Sequence, residues 1–300
     1  MNLSKHSVTV VICADDFALN EAVSAGTIEL VKANKITATS VLSLSPHWTS
    51  HARLLKKYHN QLDVGLHLDL TSDFAVQAGY GSTVTGVLLK TWSGGANRKK
   101  IRLIIESQLD SFENEWGGPP DHIDGHQHVH QFPVVRDALV DVLMDRYGAL
   151  INKPWVRVSD VYPSNWKGKI ITLTGASVLQ EKLKQNNVDF TPFLLGSYGF
   201  NLGVPMYRSL FTKWLGSVCS LQRKQEQKKG NIFSVNSSTH PAPLSIMCHP
   251  AIKPQPLDPI STSRCVEFEY LNSQDFIDDV QRFGVRLVKG SDIFIQKEKR

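Results

Sequence analysis

A chain of 300 residues with 41% hydrophobic and 20% charged positions is composed like an ordinary soluble globular protein, which excludes disorder and collagen-like structure. Length alone admits either two domains or one α/β barrel of ~250 residues or more, so the order of elements must decide. The net charge of +5 is densest between Arg223 and Lys229, a stretch interrupted by Glu226 and followed by Gly230 and Asn231. It reads as a solvated loop, because a nucleic-acid surface needs a longer basic stripe interleaved with aromatic residues.

Residues 7–13 form an unalternated β-branched apolar run, the pattern of a strand covered on both faces, and residues 20–33 follow with helical spacing at Ala22, Ile28, Leu30 and Val31. The same strand-then-helix unit recurs as 36–44 with 49–58, 62–70 with 98–116, and 122–125 with 134–147. Later strands are expected at 155–158, around 193–195, at 244–248 and at 284–288. Seven or eight such units predict a single distorted TIM-like (β/α) barrel, with residues 1–300 as one domain. The 27 residues 71–97 carry five glycines with Tyr80 and Trp92, and so long a connection reads as a functional loop. No apolar run reaches the ~20 residues of a membrane helix, and no export signal is read. The four cysteines lack Cys-x-x-Cys spacing, so free thiols and a cytoplasmic location are expected.

Asp15 and Asp16 follow the first strand at its carboxyl end, where parallel α/β folds place reactive groups. The competing reading makes one of them the cap of the next helix. In 63–71 alternation puts His67 and Asp69 on one face of a strand, which by itself is equally what a hydrogen-bonded core histidine would show. Residues 122–130 hold His122, Asp124, His126, His128 and His130; if extended, they point the same way, and such crowding of imidazoles is characteristic of metal ligation. One acid and two histidines from successive strands make a two-His, one-carboxylate site with open positions for water. His249, before the strand-stopping Pro250, stands at the same rim, and Arg157 is a charged residue in an apolar run that suggests an ion pair with an active-site acid. No phosphate-binding loop, dinucleotide fingerprint or nucleophile elbow occurs, so neither a nucleotide nor an organic cofactor is expected.

The motifs resemble those of the YdjC-like (ChbG/HpnK-like) carbohydrate deacetylases: Ala14-Asp15-Asp16-Phe17, Gly65-Leu66-His67-Leu68-Asp69-Leu70-Thr71, the histidine-rich block 122–130, and Cys248-His249-Pro250. The resemblance implies a distorted barrel and metal-dependent hydrolysis of an N-acetyl group from an amino sugar or its oligosaccharide. By that analogy Asp16, His67 and His126 hold one divalent ion, magnesium or zinc, and Asp15 is the base. His249 would protonate the leaving amine from the far side of the barrel mouth. Arg157, His128, Tyr80 and Trp92 are expected to meet the sugar. Three positions depart from the family pattern. Ala18 replaces a glycine free to take positive φ, Asp69 replaces an asparagine near His67, and Ala251 replaces a glycine. The expected partner is the sugar, not nucleic acid or membrane, and a homodimer stays open. The rival functions are a two-His, one-carboxylate iron oxygenase and a non-catalytic metal or sugar-binding protein.

Overall fold

The computed structural model describes residues 8–163, 166–227 and 242–295. Its strands are β1 (Val8–Phe17), β2 (Ala38–Val41), β3 (Asp63–Leu68), β4 (His122–Gly125), β5 (Trp155–Arg157), β6 (Phe190–Thr191), β7 (Leu194–Leu195), β8 (Leu244–Cys248) and β9 (Val285–Leu287). Every ladder is parallel, in the order β6-β5-β4-β3-β2-β1-β8-β7, and the eight strands β1–β8 form a nearly closed barrel. β6 and β7 are separated only by Pro192 and Phe193, so one chain segment pairs first with β5 and then with β8. Proline supplies no amide hydrogen, which accounts for the break between the two short ladders. β9 pairs with Val8–Val10 of β1.

The α/β barrel expected from the strand-helix period is the fold observed. β1 is fully covered from Val10 to Ala14, as its unalternated run requires. The helix after it, Glu21–Lys32, starts at Asn20, whose side chain accepts from the Val23 amide. Neither Asp15 nor Asp16 caps it, which overturns that reading of the acid pair. Arg98–Trp116 has its expected limits, with Asn97 accepting from the Lys100 amide at one end and Gly117 in the left-handed conformation at the other. The barrel wall and surrounding helices share one large apolar core, from Val10 and Ile12 to Phe211 and Tyr270.

Two expectations need correction. Residues 71–97 are not a bare loop: they hold the helices Asp73–Gln77, capped by Ser72, and Val84–Trp92, capped by Thr83. The basic stretch read as a loop begins within a helix, Val204–Gln227, while its last residues, 228–229, and Gly230 and Asn231 lie outside the described residues, as does Ser7. Among the described residues no helix is long and apolar enough to cross a membrane.

Candidate active site

At the carboxyl end of β1 the chain leaves regular pleating. The register against β2 shifts between Ala14 and Phe17, and Asp16 and Ala18 both take left-handed backbone (φ 65° and 71°). Ala18 thus adopts the conformation its side chain was expected to discourage, held by its amide donating to Ser24 Oγ and its carbonyl accepting from Ser45 Oγ (3.0 and 2.5 Å). The twist turns both carboxylates inward, and each is about 2% exposed.

β3 supplies His67 and β4 supplies Asp124 from directly paired positions. Gly65 makes room for this: a Cβ there would lie 2.4 Å from the ring of His122, which stacks on Trp155 instead. The histidine-rich block is not extended throughout. β4 ends at Gly125, where a side chain would strike the His130 ring and amide, and residues 126–131 wind into a tight turn with positive φ at Gln127 and His128. The four imidazoles therefore diverge. His126 enters the mouth, His122 stays in the barrel interior beside Cys13 and Ser40, His128 Nδ1 meets Ser159 Oγ at 2.8 Å, and His130 is buried.

Asp16, His67 and His126 converge, with one ligand atom from each within 4.8 Å of the others. Asp16 Oδ1 lies 2.9 Å from His126 Nδ1 and 3.3 Å from His67 Nε2, and its other oxygen accepts from Arg264 Nη2 at 2.7 Å. His67 Nδ1–H donates to Asp124 Oδ1 at 2.5 Å. Asp124 Oδ2 is held by Arg157 Nη2 at 2.7 Å and by the Ser40 hydroxyl. The same Arg157 nitrogen reaches Asp15 Oδ2 at 2.8 Å, so the ion pair expected of this buried arginine is present, with two acids rather than one.

His249 does not stand across the mouth from Asp15. β8 pairs directly with β1, and His249 Nε2 lies 3.9 Å from Asp15 Oδ2. Glu267, buried on the helix Ser261–Asn272, accepts from the His249 amide at 2.7 Å and from the Tyr198 hydroxyl at 2.8 Å. Asp69 does not support His67 through any hydrogen bond seen among the described residues. Its carboxylate accepts from the Thr71 and Ser72 amides (3.0 and 2.9 Å) and from the Ser72 hydroxyl, closing the turn after β3. Tyr80 is half-buried with its hydroxyl 3.0 Å from Ser107 Oγ, whereas Trp92 is 61% exposed, on a helix that packs against the 126–131 turn.

Burial and charge pull the titrating groups in opposite directions. Burial would lower His67, but the Asp124 carboxylate and its hydrogen bond outweigh it and lift the imidazole to about 10. Burial would raise Asp16 and Asp124; Arg264 and His126 hold the first well below the usual carboxylate range, and Arg157 and His67 the second. His249 is raised against burial by Glu267 and then Asp15, while His128 and His130 are lowered by burial, His130 to about 4.

The donor set fits a divalent cation. With Nδ1–H committed to Asp124, the His67 Nε2 lone pair faces the Asp16 oxygen unless a second proton or a cation lies there. The carboxylates of Asp15, Asp16, Asp124, Asp258 and Glu267 exceed the guanidiniums of Arg157 and Arg264 by three charges. Buried charge of one sign must be met by protonated imidazoles or by a metal ion. A second cluster, Cys13, His122 and Asp124, is already closed by Ser40 and Arg157. Sequence reasoning missed Ser40, Arg264 and Glu267. Only the last two left a signal, as charged residues at core-facing spacing beside buried Tyr270 and Leu271 on their helix.

The site lies where parallel α/β barrels carry their reactive groups, with carboxylates and imidazoles gathered at the carboxyl ends of the strands. The family model for the YdjC-like protein matches residues 9–282, and the chain belongs to that family. A "Carbohydrate deacetylase" of Danio rerio is 30% identical over 172 residues, 53% of this chain and 54% of that protein. The chain thus spans about half the length of that relative. A "Chitooligosaccharide deacetylase" of Proteus mirabilis is 31% identical over 179 residues, 54% of this chain and 70% of its own length. One of the same name from Yersinia pestis is 25% identical over 262 residues, 83% of each. Among solved structures, a putative cellobiose-phosphate cleavage protein from Enterococcus faecalis shares the fold with a TM-score of 0.69 at 21% identity, covering 96% of this chain and 99% of its own.

Proposed function

We propose that this chain, as a single barrel domain, is a metal-dependent carbohydrate deacetylase that hydrolyses the N-acetyl group of an amino sugar or its oligosaccharide. The observation that carries the reading is the convergence of Asp16, His67 and His126 beside Asp15 and His249. Two imidazoles and one carboxylate suit zinc or a similar transition ion better than magnesium, which favours oxygen donors. When bound, the ion supplies Lewis-acid polarisation of the acetyl carbonyl and lowers the pKa of the attacking water.

The chain's own groups supply the rest. Asp15 keeps Oδ2 on Arg157, while Oδ1 is buried with no hydrogen-bond partner among the described residues and is the atom that takes the proton from water as its oxygen adds to the acetyl carbon. Collapse of the tetrahedral adduct breaks the carbon–nitrogen bond, and His249 Nε2–H passes its proton to the departing amine, leaving acetate and the free amino sugar. Because His249 stands beside Asp15, acid and base work from the same side of the mouth. Asp124 holds His67 in the tautomer that offers Nε2, and Arg157 links Asp124 to Asp15. Trp92, exposed on its helix, is the residue suited to stacking on a sugar ring, with His128 assigned to the acetamide end; Arg157, expected at the sugar, is instead buried on Asp15 and Asp124, and Tyr80 pins its segment to Ser107. Free cysteines support a cytosolic setting.

The test is acetate release from N-acetylglucosamine and its oligomers. Turnover that disappears on chelation and returns with added zinc supports the reading. Hydrolysis by protein shown to be metal-free, or no release from any N-acetylated sugar by the metal-loaded protein, refutes it.

A further inference from the structure

Two buried arginines serve the site, and each holds two carboxylates. Arg157 joins Asp15 to Asp124. Arg264, about 3% exposed, joins Asp16 through Nη2 (2.7 Å) to Asp258 through Nε (2.6 Å). The second bridge couples the end of β1 to the helix Ser261–Asn272, 248 residues later in the chain.

Asp16 needs such a hold. Its backbone is left-handed at φ 65°, and its carboxylate has two oxygens that are chemically equivalent until a neighbour distinguishes them. Arg264 takes Oδ2 and leaves Oδ1 to His67 and His126. Asp258 fixes the guanidinium in turn, and its own Oδ1 accepts from the Ile260 amide at 3.1 Å, so the orienting group rests on backbone rather than on another mobile side chain. We infer that Arg264, aligned by Asp258, is the positioning residue that presents one oxygen of Asp16 to the metal. This rests on the metal site under the proposed function. A planar guanidinium can bond two carboxylates at fixed angles, which a lysine ammonium of equal charge does not reproduce.

Arg264→Lys therefore separates geometry from charge. Partners of metal ligands commonly contribute about 10–100-fold in affinity, and the Arg264→Lys protein should bind Co²⁺ weaker by that factor. Co²⁺ titration of the metal-free protein, followed by visible absorption, reads the affinity and the ligand set without recourse to turnover. Thermal unfolding of the metal-free protein shows whether the fold is kept. Asp258→Asn, which leaves Arg264 on Asp16 but removes the charge that anchors its far end, should weaken Co²⁺ in the same direction by less. It carries the test if Arg264→Lys does not fold. Co²⁺ affinity equal to the unaltered protein in Arg264→Lys, or in Asp258→Asn where that variant carries the test, overturns the assignment of Arg264. A parent protein that binds no Co²⁺ refutes the metal site itself, and the positioning role falls with it.

Discussion

The acid pair gives the sharpest test, because two adjacent aspartates of equal burial are assigned different work. In Asp15→Asn the side-chain volume is unchanged and one amide oxygen can still accept from Arg157, which also keeps Asp124 at 2.7 Å. Folding should suffer far less than the ~3–5 kcal/mol lost when a buried ion pair is left with no partner at all. The metal should stay, since the converging ligand atoms come from Asp16, His67 and His126. What disappears is the proton acceptor, and general-base catalysis is worth about 10²–10⁴-fold, or ~3–5 kcal/mol of barrier. Metal-loaded parent and variant should be compared for acetate release on an N-acetylglucosamine oligomer, with metal content measured on the same samples. A loss in kcat of at least two orders of magnitude at unchanged metal content is expected. If metal content falls as far as in Asp16→Asn, or if kcat drops less than tenfold, the division between base and ligand is wrong.

His126→Ala should lose metal while His128→Ala retains most of it, as read by metal titration, because His126 faces Asp16 whereas His128 faces Ser159. His249→Ala should cut acetamide turnover sharply yet impair an activated acetate ester, whose leaving group needs little protonation, far less; equal losses on both substrates would make His249 a binding residue. Glu267 raises His249, so the acid form persists above its ordinary range, and Glu267→Gln should move the alkaline limb of the kcat–pH profile to lower pH; an unmoved limb counts against this. Gly65→Ala should destabilise the fold by ~1–3 kcal/mol in denaturant unfolding, because its Cβ falls 2.4 Å from the His122 ring.

Much of this was legible because strands announce themselves by apolar runs and a parallel barrel gathers the residues at their carboxyl ends. The Asp15–Asp16 pair, His67 and the histidine block 122–130 are legible in that way, without any contact information; the choice of His126 within the block rests on the resemblance to the YdjC-like family. The period-two argument failed at Gly125, since nothing in an alternating His-x-His-x-His pattern shows that the chain turns as soon as the ring of His130 needs the space of a missing Cβ. His249 was placed on the wrong side for a topological reason: chain order puts β8 last, but ladder pairing puts it next to β1. Arg264 and Glu267 lie three apart on a helix, where opposite charges ordinarily form a solvated pair. Their pairing with Asp16 and His249 is set by tertiary packing.

The break at Pro192 gives the barrel a seam. Between β5 and β8 the wall is a single chain segment that changes partner halfway, two residues to each side, whereas β1 pairs with β8 through Val10 to Ala14 without a shift. Arg157 ends one of the two strands that flank this seam and His249 directly follows the other. The amides of Leu194 and Ser245 should accordingly exchange with deuterated solvent sooner than those of Ile12 and Leu66. Fraying of the wall there would part Arg157 from His249 and leave Asp16, His67 and His126 together.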